Sequence, residues 1–227
     1  MSVTVPVSVF EFLKELKHNN HKDWMDAHKK QYQANEKALK KFYLEIEKGL
    51  NKTDQIEKMR IFRINRDIRF SKDKTPYNVH RSVSFNRAGA HRRGGYYLRI
   101  EPGGSAMAGG FFDPSPADLL RIRKEFEMDA TPIRKILSEK QFKQAFNGFV
   151  QEYKVKTAPK GFSSDDPNID LIRLKNYFVV HHFTDNEVTA PDFPEKLTHH
   201  YELLRPYFDY MSEVLTTDLN GVSLLDQ

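Results

Sequence analysis

The sequence feature that most constrains the fold is a cationic segment in the middle of the chain, from Arg60 to Tyr77. Six cations recur there at nearly regular intervals, at positions 60, 63, 66, 69, 72 and 74. Only Asp67 and Asp73 oppose them within the segment. The burial of a guanidinium group is costly unless an anion meets it, so either the protein or a ligand must supply anions here.

The positive charge of the protein is concentrated around this segment. Between Arg60 and Arg93 ten lysines and arginines face two aspartates, a local balance of +8, whereas the whole chain carries +5. A basic block of this kind is compatible with nucleic acid, phosphorylated small molecules or acidic protein surfaces as partners. It can equally be a solvated face without a ligand.

Composition excludes several classes of site and indicates the compartment. The chain of 227 residues contains no cysteine, which excludes disulfides, iron–sulfur clusters, thiolate zinc sites and cysteine nucleophiles. No apolar run approaches the ~18 residues of a membrane span, and the first residues lack the pattern of a signal peptide. We therefore expect a cytoplasmic protein without a membrane partner.

Hydrophobic periodicity predicts helices in the first part of the chain, strands in the middle and helices again in the last part. Alternation of apolar and polar residues predicts strands at 60–70, 82–86 and 96–101, the last followed by a turn and a return strand. No internal repeat or low-complexity linker interrupts the chain. We predict a single α+β domain over residues 1–227, with a central, mostly antiparallel sheet packed by the N-terminal and C-terminal helices.

The predicted strand at 60–70 separates the cationic segment into two faces, because alternate residues of a strand point to the same side. One face holds Ile61, Arg63, Asn65, Asp67, Arg69 and Ser71, and the other holds Phe62, Ile64, Arg66, Ile68 and Phe70. The second face is apolar and is predicted to be core, apart from Arg66. We expect Arg66 either to sit on a bulge that turns it to the polar side or to reach a buried carboxylate.

Beyond Phe70 the composition predicts a loop that ends at Tyr77. Pro76 holds its predecessor extended, and loops at strand ends carry chemistry more often than strand centres do. Lys72 and Lys74 are flexible point charges in this loop. The arginines of the strand are instead planar forks suited to bidentate contacts with phosphate or carboxylate.

Several sequence strings together resemble one known family. They are RINRDIRFSKDKTPY, FEFLKELKHNNHKDWM, YYLRIEPGGS, APKGF and DLIRLK. They are similar to the conserved-hypothetical family catalogued as domain of unknown function 2461, over nearly the whole chain from Phe10 to Tyr210. The family has no activity that can be carried over, so the resemblance implies a single full-length domain and a set of motif positions. Those positions are Arg63, Arg66, Asp67, Arg69, Asp73, Lys74 and Tyr77. The chain departs from the family pattern at Phe111 and Phe112, where methionine and tryptophan are expected, and this departure concerns a pocket wall.

Three hypotheses of function remain open. In the first, which we favour, the protein binds a phosphorylated or carboxylated small molecule, with or without catalysis. In the second, the same basic block, extended by arginines 81, 87, 92 and 93, binds nucleic acid. This hypothesis ranks last because Phe62 and Phe70 are predicted to face the core rather than to stack on bases. In the third, arginines and carboxylates form an internal ion-pair lattice that fixes the fold.

The first hypothesis gives each charged residue of the segment a role in clamping an anion, closing over it or removing a proton. The predicted ligand-binding residues are Arg63, Arg66, Arg69, Lys72 and Lys74, and the candidate catalytic residues are Asp67, Asp73 and Tyr77. We predict neither a metal ion nor a cofactor, because the arginines compete for the nearby carboxylates and the adjacent histidines are poorly placed for ligation. The sequence does not indicate the oligomeric state.

Overall fold

In the computed structural model, which describes residues 3–225, helices precede and follow one antiparallel sheet. The helices before the sheet are α1 (Val7–His18), α2 (Lys22–Ala27) and α3 (Lys29–Leu50). The strands are β1 (Ile56–Ile61), β2 (Arg81–Arg87), β3 (Gly95–Ile100), β4 (Ser105–Phe111) and β5 (Tyr177–Phe183). Between β4 and β5 lie α4 (Pro116–Met128), α5 (Thr131–Ser138), α6 (Lys140–Phe146) and α7 (Ile169–Ile172). After β5 come α8 (Asp185–Thr189), α9 (Phe193–Glu202) and α10 (Arg205–Thr216).

The strands pair in chain order, from β1 at one edge of the open sheet to β5 at the other. The prediction of an α+β domain with a central antiparallel sheet and terminal helices is therefore confirmed. The extent of that domain, residues 1–227, stays a prediction. None of the helices within residues 3–225 is long and apolar enough to cross a membrane.

The chain divides into two compact units. The first comprises Met1–Phe85, Tyr97–Met107 and His182–His199, and the second comprises Asn86–Tyr96, Ala108–His181 and His200–Gln227. Each unit has its own apolar interior.

The first unit is built around the apolar faces of α1 and α3. Leu39, Phe42 and Ile46 recur at helical spacing on α3 and are fully buried, as the periodicity predicts. One buried polar contact joins the two helices: Ser8 Oγ donates to Asn35 Oδ1 at 2.8 Å, and Asn35 Nδ2 donates back to Ser8 O at 3.1 Å. This reciprocal bonding removes the cost of burying the amide and fixes the register of α1 on α3.

The second unit is organised by the aromatic face of α10. The ring of Phe208 meets the ring of Tyr96 edge-on at 5.0 Å, and the Tyr207 hydroxyl donates to Tyr177 O at 2.6 Å. Burial raises the pKa of Tyr207, so this hydroxyl stays protonated and keeps its role as a donor. Large aromatic side chains thus supply both the apolar area and the orientation of this helix.

A close approach within the second unit requires a glycine on β4. Gly110 has a φ of +146°, which disfavours any residue with a Cβ atom. A Cβ placed on Gly110 would lie 2.3 Å from Tyr177 O and 2.5 Å from Phe178 Cα, both atoms of the β5 backbone. Backbone cannot move aside as a side chain can, so the packing of β4 on β5 depends on this position.

We expect Gly110→Ala to be strongly destabilising. Gly103→Ala is the matched control, since Gly103 also has a positive φ of +68° but a Cβ there would meet nothing within 4 Å. The control should lose about 1 kcal/mol from backbone strain alone. The clash at Gly110 should add to that strain and bring the total to about 3 kcal/mol or more. Urea denaturation of both variants measures the difference, and equal losses would contradict the role given to Gly110.

The predicted strand at 60–70 is wrong. The strand β1 ends at Ile61, and residues 62–80 follow an irregular path before β2 begins at Arg81. Phe70, predicted to face the core, is 96% exposed. The alternation of exposure survives in part, because Ile64 is buried while its neighbours Arg63 and Asn65 are exposed. Exposed and buried residues therefore still alternate around Ile64, although no regular strand hydrogen bonding is present there.

Candidate functional site

The cationic segment forms an irregular hairpin after β1. Its two legs are joined by an isolated antiparallel bridge between Asn65 and Tyr77, and Arg66 N donates to Pro76 O at 2.9 Å. Asn78 N donates to Ile64 O at 2.8 Å on the other side of the bridge. The hairpin ends in residues 66–75, which we call the motif loop.

The base of the hairpin is fastened to the connection between α1 and α2. Asn20 Oδ1 accepts from Tyr77 N at 3.0 Å, and Asn20 Nδ2 donates to Tyr77 O at 2.9 Å. One amide side chain thus satisfies both backbone groups of Tyr77. Burial, assisted by the charge of Asp26, raises the pKa of the Tyr77 phenol. These contacts give Tyr77 an anchoring role in the hairpin.

Arg66 folds back across the motif loop and closes it. Its Nη1 lies 2.6 Å from Asp73 Oδ2 and 2.9 Å from Thr75 O, and it also contacts the Thr75 hydroxyl. The expectation of a buried carboxylate is wrong, because the partner of Arg66 is a loop carboxylate whose side chain is 59% exposed. Arg66 does share the cleft lining with Arg63 and Asp67, but not through a strand bulge, since β1 ends at Ile61. Hydrogen bonds from Thr75, and then from Arg66, lower the pKa of Asp73.

Three more charged residues of the motif loop, Asp67, Arg69 and Lys74, are also bonded within it. Arg69 donates from Nε to Asp67 Oδ1 at 3.0 Å and from Nη2 to Asp67 Oδ2 at 2.6 Å, a bidentate pair. These bonds lower the pKa of Asp67 and raise that of Arg69. Lys74 Nζ donates to Ile68 O at 3.0 Å. Lys72, which is exposed, forms no ion pair or hydrogen bond with residues 3–225.

A cleft of about 800 Å³ opens in the first unit beside the motif loop. Its lining residues come from the end of β1, from both legs of the hairpin and from the first residues of β2, with one residue from β3. They are Arg60, Ile61, Phe62, Arg63, Asn65, Arg66, Asp67, Asn78, His80, Arg81, Ser82 and Tyr97. Of the predicted site residues, the cleft brings together Arg63, Arg66 and Asp67. The others, Arg69, Lys72, Asp73, Lys74 and Tyr77, do not line it.

Five polar side chains of the cleft have no side-chain hydrogen bond or ion pair with the part of the chain that the structure describes. They are Arg60, Arg63, Asn65, His80 and Ser82. The guanidinium of Arg60 lies over the ring of Phe62, with Cζ at 5.0 Å from the ring centroid. Both arginines are exposed to solvent, and neither is within ion-pair distance of a carboxylate of residues 3–225, although the charge of Arg63 helps to lower the pKa of Asp67. The cleft therefore presents cationic and neutral donors that a ligand can use.

His80 is held neutral in this cationic surrounding. Burial, the charge of Arg99 and the charge of Arg81 together lower the pKa of His80 from 6.5 to about 4. The imidazole is thus unprotonated at neutral pH, when one ring nitrogen donates and the other accepts. A bound anion would oppose the field of the arginines and raise this pKa.

One wall of the cleft rests on a buried ion pair. Arg81, only 4% exposed, donates from Nε and Nη2 to the two oxygens of Glu36 on α3, each at 2.6 Å. Burial on its own disfavours the charged guanidinium, but the hydrogen bonds and charge of Glu36 outweigh it and the pKa of Arg81 is raised. Arg81 is thus an occupied cation, in contrast to Arg60 and Arg63.

Sequence reasoning missed several residues of the cleft. Arg60 belongs to the cationic segment but was given no role, and Phe62 was predicted to face the core. His80, Ser82 and Tyr97 were not predicted at all. The sequence does predict a strand at Ser82, but it does not predict which segment pairs with that strand. In the structure Phe62 N donates to Ser82 O at 3.0 Å, and this contact brings Ser82 beside Phe62.

The fold and the cleft define an α+β protein with a cationic pocket at the edge of an antiparallel sheet. The family described as "Conserved hypothetical protein (DUF2461)" matches residues 8–210, and the chain belongs to this family. No curated protein and no solved structure matches the chain. Neither Phe111 nor Phe112, where the chain departs from the family pattern, lines the cleft.

We predict that removal of the Arg81 side chain lowers the free energy of unfolding more than removal of the Arg66 side chain does. Arg81→Ala removes an almost completely buried partner from Glu36, whose side chain is 27% exposed, and should cost about 2–4 kcal/mol. Arg66→Ala removes a pair whose carboxylate is exposed and should cost about 1 kcal/mol or less. Urea denaturation of the two variants tests this order, and a larger loss for Arg66→Ala would contradict it.

A second prediction concerns pH. In the unfolded chain His80 titrates at its ordinary 6.5, so between pH 6.5 and about 4 the unfolded state binds a proton that the folded state does not. The free energy of unfolding should therefore fall as the pH is lowered through this window. His80→Gln should remove this contribution, leaving a flatter dependence between the same pH values. Parallel slopes for the two proteins in urea titrations would show that His80 is not depressed.

Proposed function

We propose that the cleft binds a phosphorylated or carboxylated small molecule. One observation carries the proposal: Arg60, Arg63, His80 and Ser82 line one concave surface, and their side-chain polar groups have no hydrogen-bond or ion-pair partner within residues 3–225. The volume of about 800 Å³ falls in the range of small-molecule sites, roughly 300–1,000 Å³. We further propose that the protein acts in the cytoplasm.

The chemistry of these groups favours an anion with several oxygens. The guanidiniums of Arg60 and Arg63 offer planar forks that match a phosphate or a carboxylate. The hydroxyl of Ser82 and the N–H of a neutral His80 add donors without adding charge. Such a site binds through charge-assisted hydrogen bonds, and protonation of His80 on binding would strengthen it.

The paired residues take a supporting role in this proposal. Arg66 and Asp73 close the motif loop, and Asp67 and Arg69 satisfy each other, as the hypothesis of an ion-pair lattice expects for this part of the segment. A carboxylate whose pKa is lowered is a weaker proton acceptor. We therefore do not include Asp67 or Asp73 as a base, and we propose binding without assigning a reaction.

We predict that the affinity for inorganic pyrophosphate depends on the unpaired arginines. Arg60→Ala and Arg63→Ala should each weaken binding by about tenfold or more, the scale of losing hydrogen bonds to a charged group. Lys41→Ala is the matched control, because it removes one positive charge from an exposed site on α3 outside the cleft. Isothermal titration calorimetry measures the affinities.

A second readout follows the site directly. Pyrophosphate bound in the cleft should raise the pKa of His80 above its value of about 4 in the free protein, which a nuclear magnetic resonance titration of the imidazole detects. If no phosphate or carboxylate binds, or if Lys41→Ala weakens binding as much as Arg63→Ala does, the proposal fails. In that case a solvated face with internal ion pairs would be the better description.

A further inference from the structure

The cleft combines its cations with aromatic walls. Phe62 and Tyr97 both line it, and their rings meet edge-on, with centroids 6.1 Å apart and an angle of 69° between the planes. The guanidinium of Arg60 covers part of the same ring of Phe62. Both aromatic residues are half-buried rather than buried in the core. Two aromatic rings and a planar guanidinium therefore lie in the same cleft as the arginines, and each offers a flat surface on which another planar group can stack.

Aromatic surface contributes little to the binding of a bare phosphate. Anions are held by charge and by hydrogen bonds, which Arg63, Ser82 and His80 already offer. Rings and guanidinium planes instead attract other flat π systems, and stacking of a nucleobase on an aromatic side chain is a recurrent and sequence-tolerant contact. A cleft that combines aromatic rings with donors for phosphate is suited to a ligand that contains both a planar ring system and a phosphate.

We infer that the ligand of the cleft is a nucleotide unit, with its phosphate at Arg60 and Arg63 and its base against Phe62 and Tyr97. This inference rests on the proposed function and names the class of phosphorylated ligand. The amides of Asn65 and Asn78, which also line the cleft, supply donors and acceptors suited to a ribose or to the edge of a base.

A nucleotide unit has two sources, a free nucleotide and a single-stranded nucleic acid. The motif loop bears on this choice, because Phe70 is 96% exposed and the guanidinium of Arg69 lies 5.9 Å from its ring centroid. Phe70 lies outside the cleft, so a free nucleotide held there would leave it untouched. A longer strand has further bases that can stack on it.

The first experiment compares three ligands on the wild-type protein: inorganic phosphate, ribose 5-phosphate and the nucleoside 5′-monophosphates. We expect the monophosphates to bind at least about fivefold more tightly than ribose 5-phosphate, as stacking of one base implies. Phe62→Leu should remove this advantage, so that the monophosphates bind to the variant no more tightly than ribose 5-phosphate does. Phe62→Tyr keeps a ring and should keep the advantage.

The outcomes separate this inference from the proposed function. If ribose 5-phosphate binds in an Arg63-dependent way and the nucleotides bind no better, the cleft is an anion site and the nucleotide inference fails. If none of the three ligands binds, the proposed function itself fails. The wild-type comparison decides even if Phe62→Leu does not fold, which circular dichroism would reveal.

A second experiment distinguishes the sources. Single strands of about ten nucleotides, within the range that one binding fold covers, are compared with the mononucleotide by fluorescence anisotropy. For a single-stranded partner, affinity should rise with length, fall with salt and drop in Phe70→Ala. For a free nucleotide, length and Phe70→Ala should have no effect. Either pattern supports a nucleotide unit, whereas strand binding that survives both Arg63→Ala and Phe62→Leu would overturn it.

Discussion

The buried ion pair between Arg81 and Glu36 is the interaction on which the cleft depends. It joins the first residue of β2 to α3, and His80 and Ser82 flank Arg81 directly in the chain, so the pair determines where their side chains emerge. Because Glu36 occupies two donors of a guanidinium that is almost completely buried, Arg81 serves as a wall of the cleft. Burial thus makes a protein carboxylate necessary for Arg81, whereas exposed arginines can either pair, as Arg69 does with Asp67, or remain solvated. The exposed Arg60 and Arg63 need none, and they are the ones left to face a ligand.

Much of the architecture could be predicted from the sequence, because the helices and most strands carry strong periodicity. The apolar faces of α1 and α3, and the strand pattern around Tyr96, were visible without a structure. The extension of β1 to Phe70 was not correct, since alternation alone does not reveal whether a neighbouring strand supplies hydrogen bonds. The decisive contact is Asn20 with the backbone of Tyr77, across 57 positions of the chain. No local sequence pattern predicts a contact between residues so far apart in the chain.

The site could be predicted only in part for the same reason. Charge density located the region and included Arg63, but it could not separate the paired cations from the unpaired ones. Asp67 and Asp73 lie within a few residues of their partners Arg69 and Arg66, so short loop geometry, rather than strand geometry, decided the pairing. His80 and Tyr97 entered the cleft through the register of β2 and β3, which the sequence does not specify. Their chemistry emerges only when separate segments meet.

The contacts within the motif loop have a consequence for how the sequence of this loop can vary in evolution. Its ion pairs and its bond from Lys74 to Ile68 lie within residues 66–75, and the bridge between Asn65 and Tyr77 closes it at the base. The shape of the loop is therefore determined mainly by contacts among its own residues. Phe70 at its tip is 96% exposed and does not line the cleft, so packing of the cleft wall does not fix the identity of this residue. Variation at that tip offers a route by which members of one family could acquire different partners while retaining a common pocket.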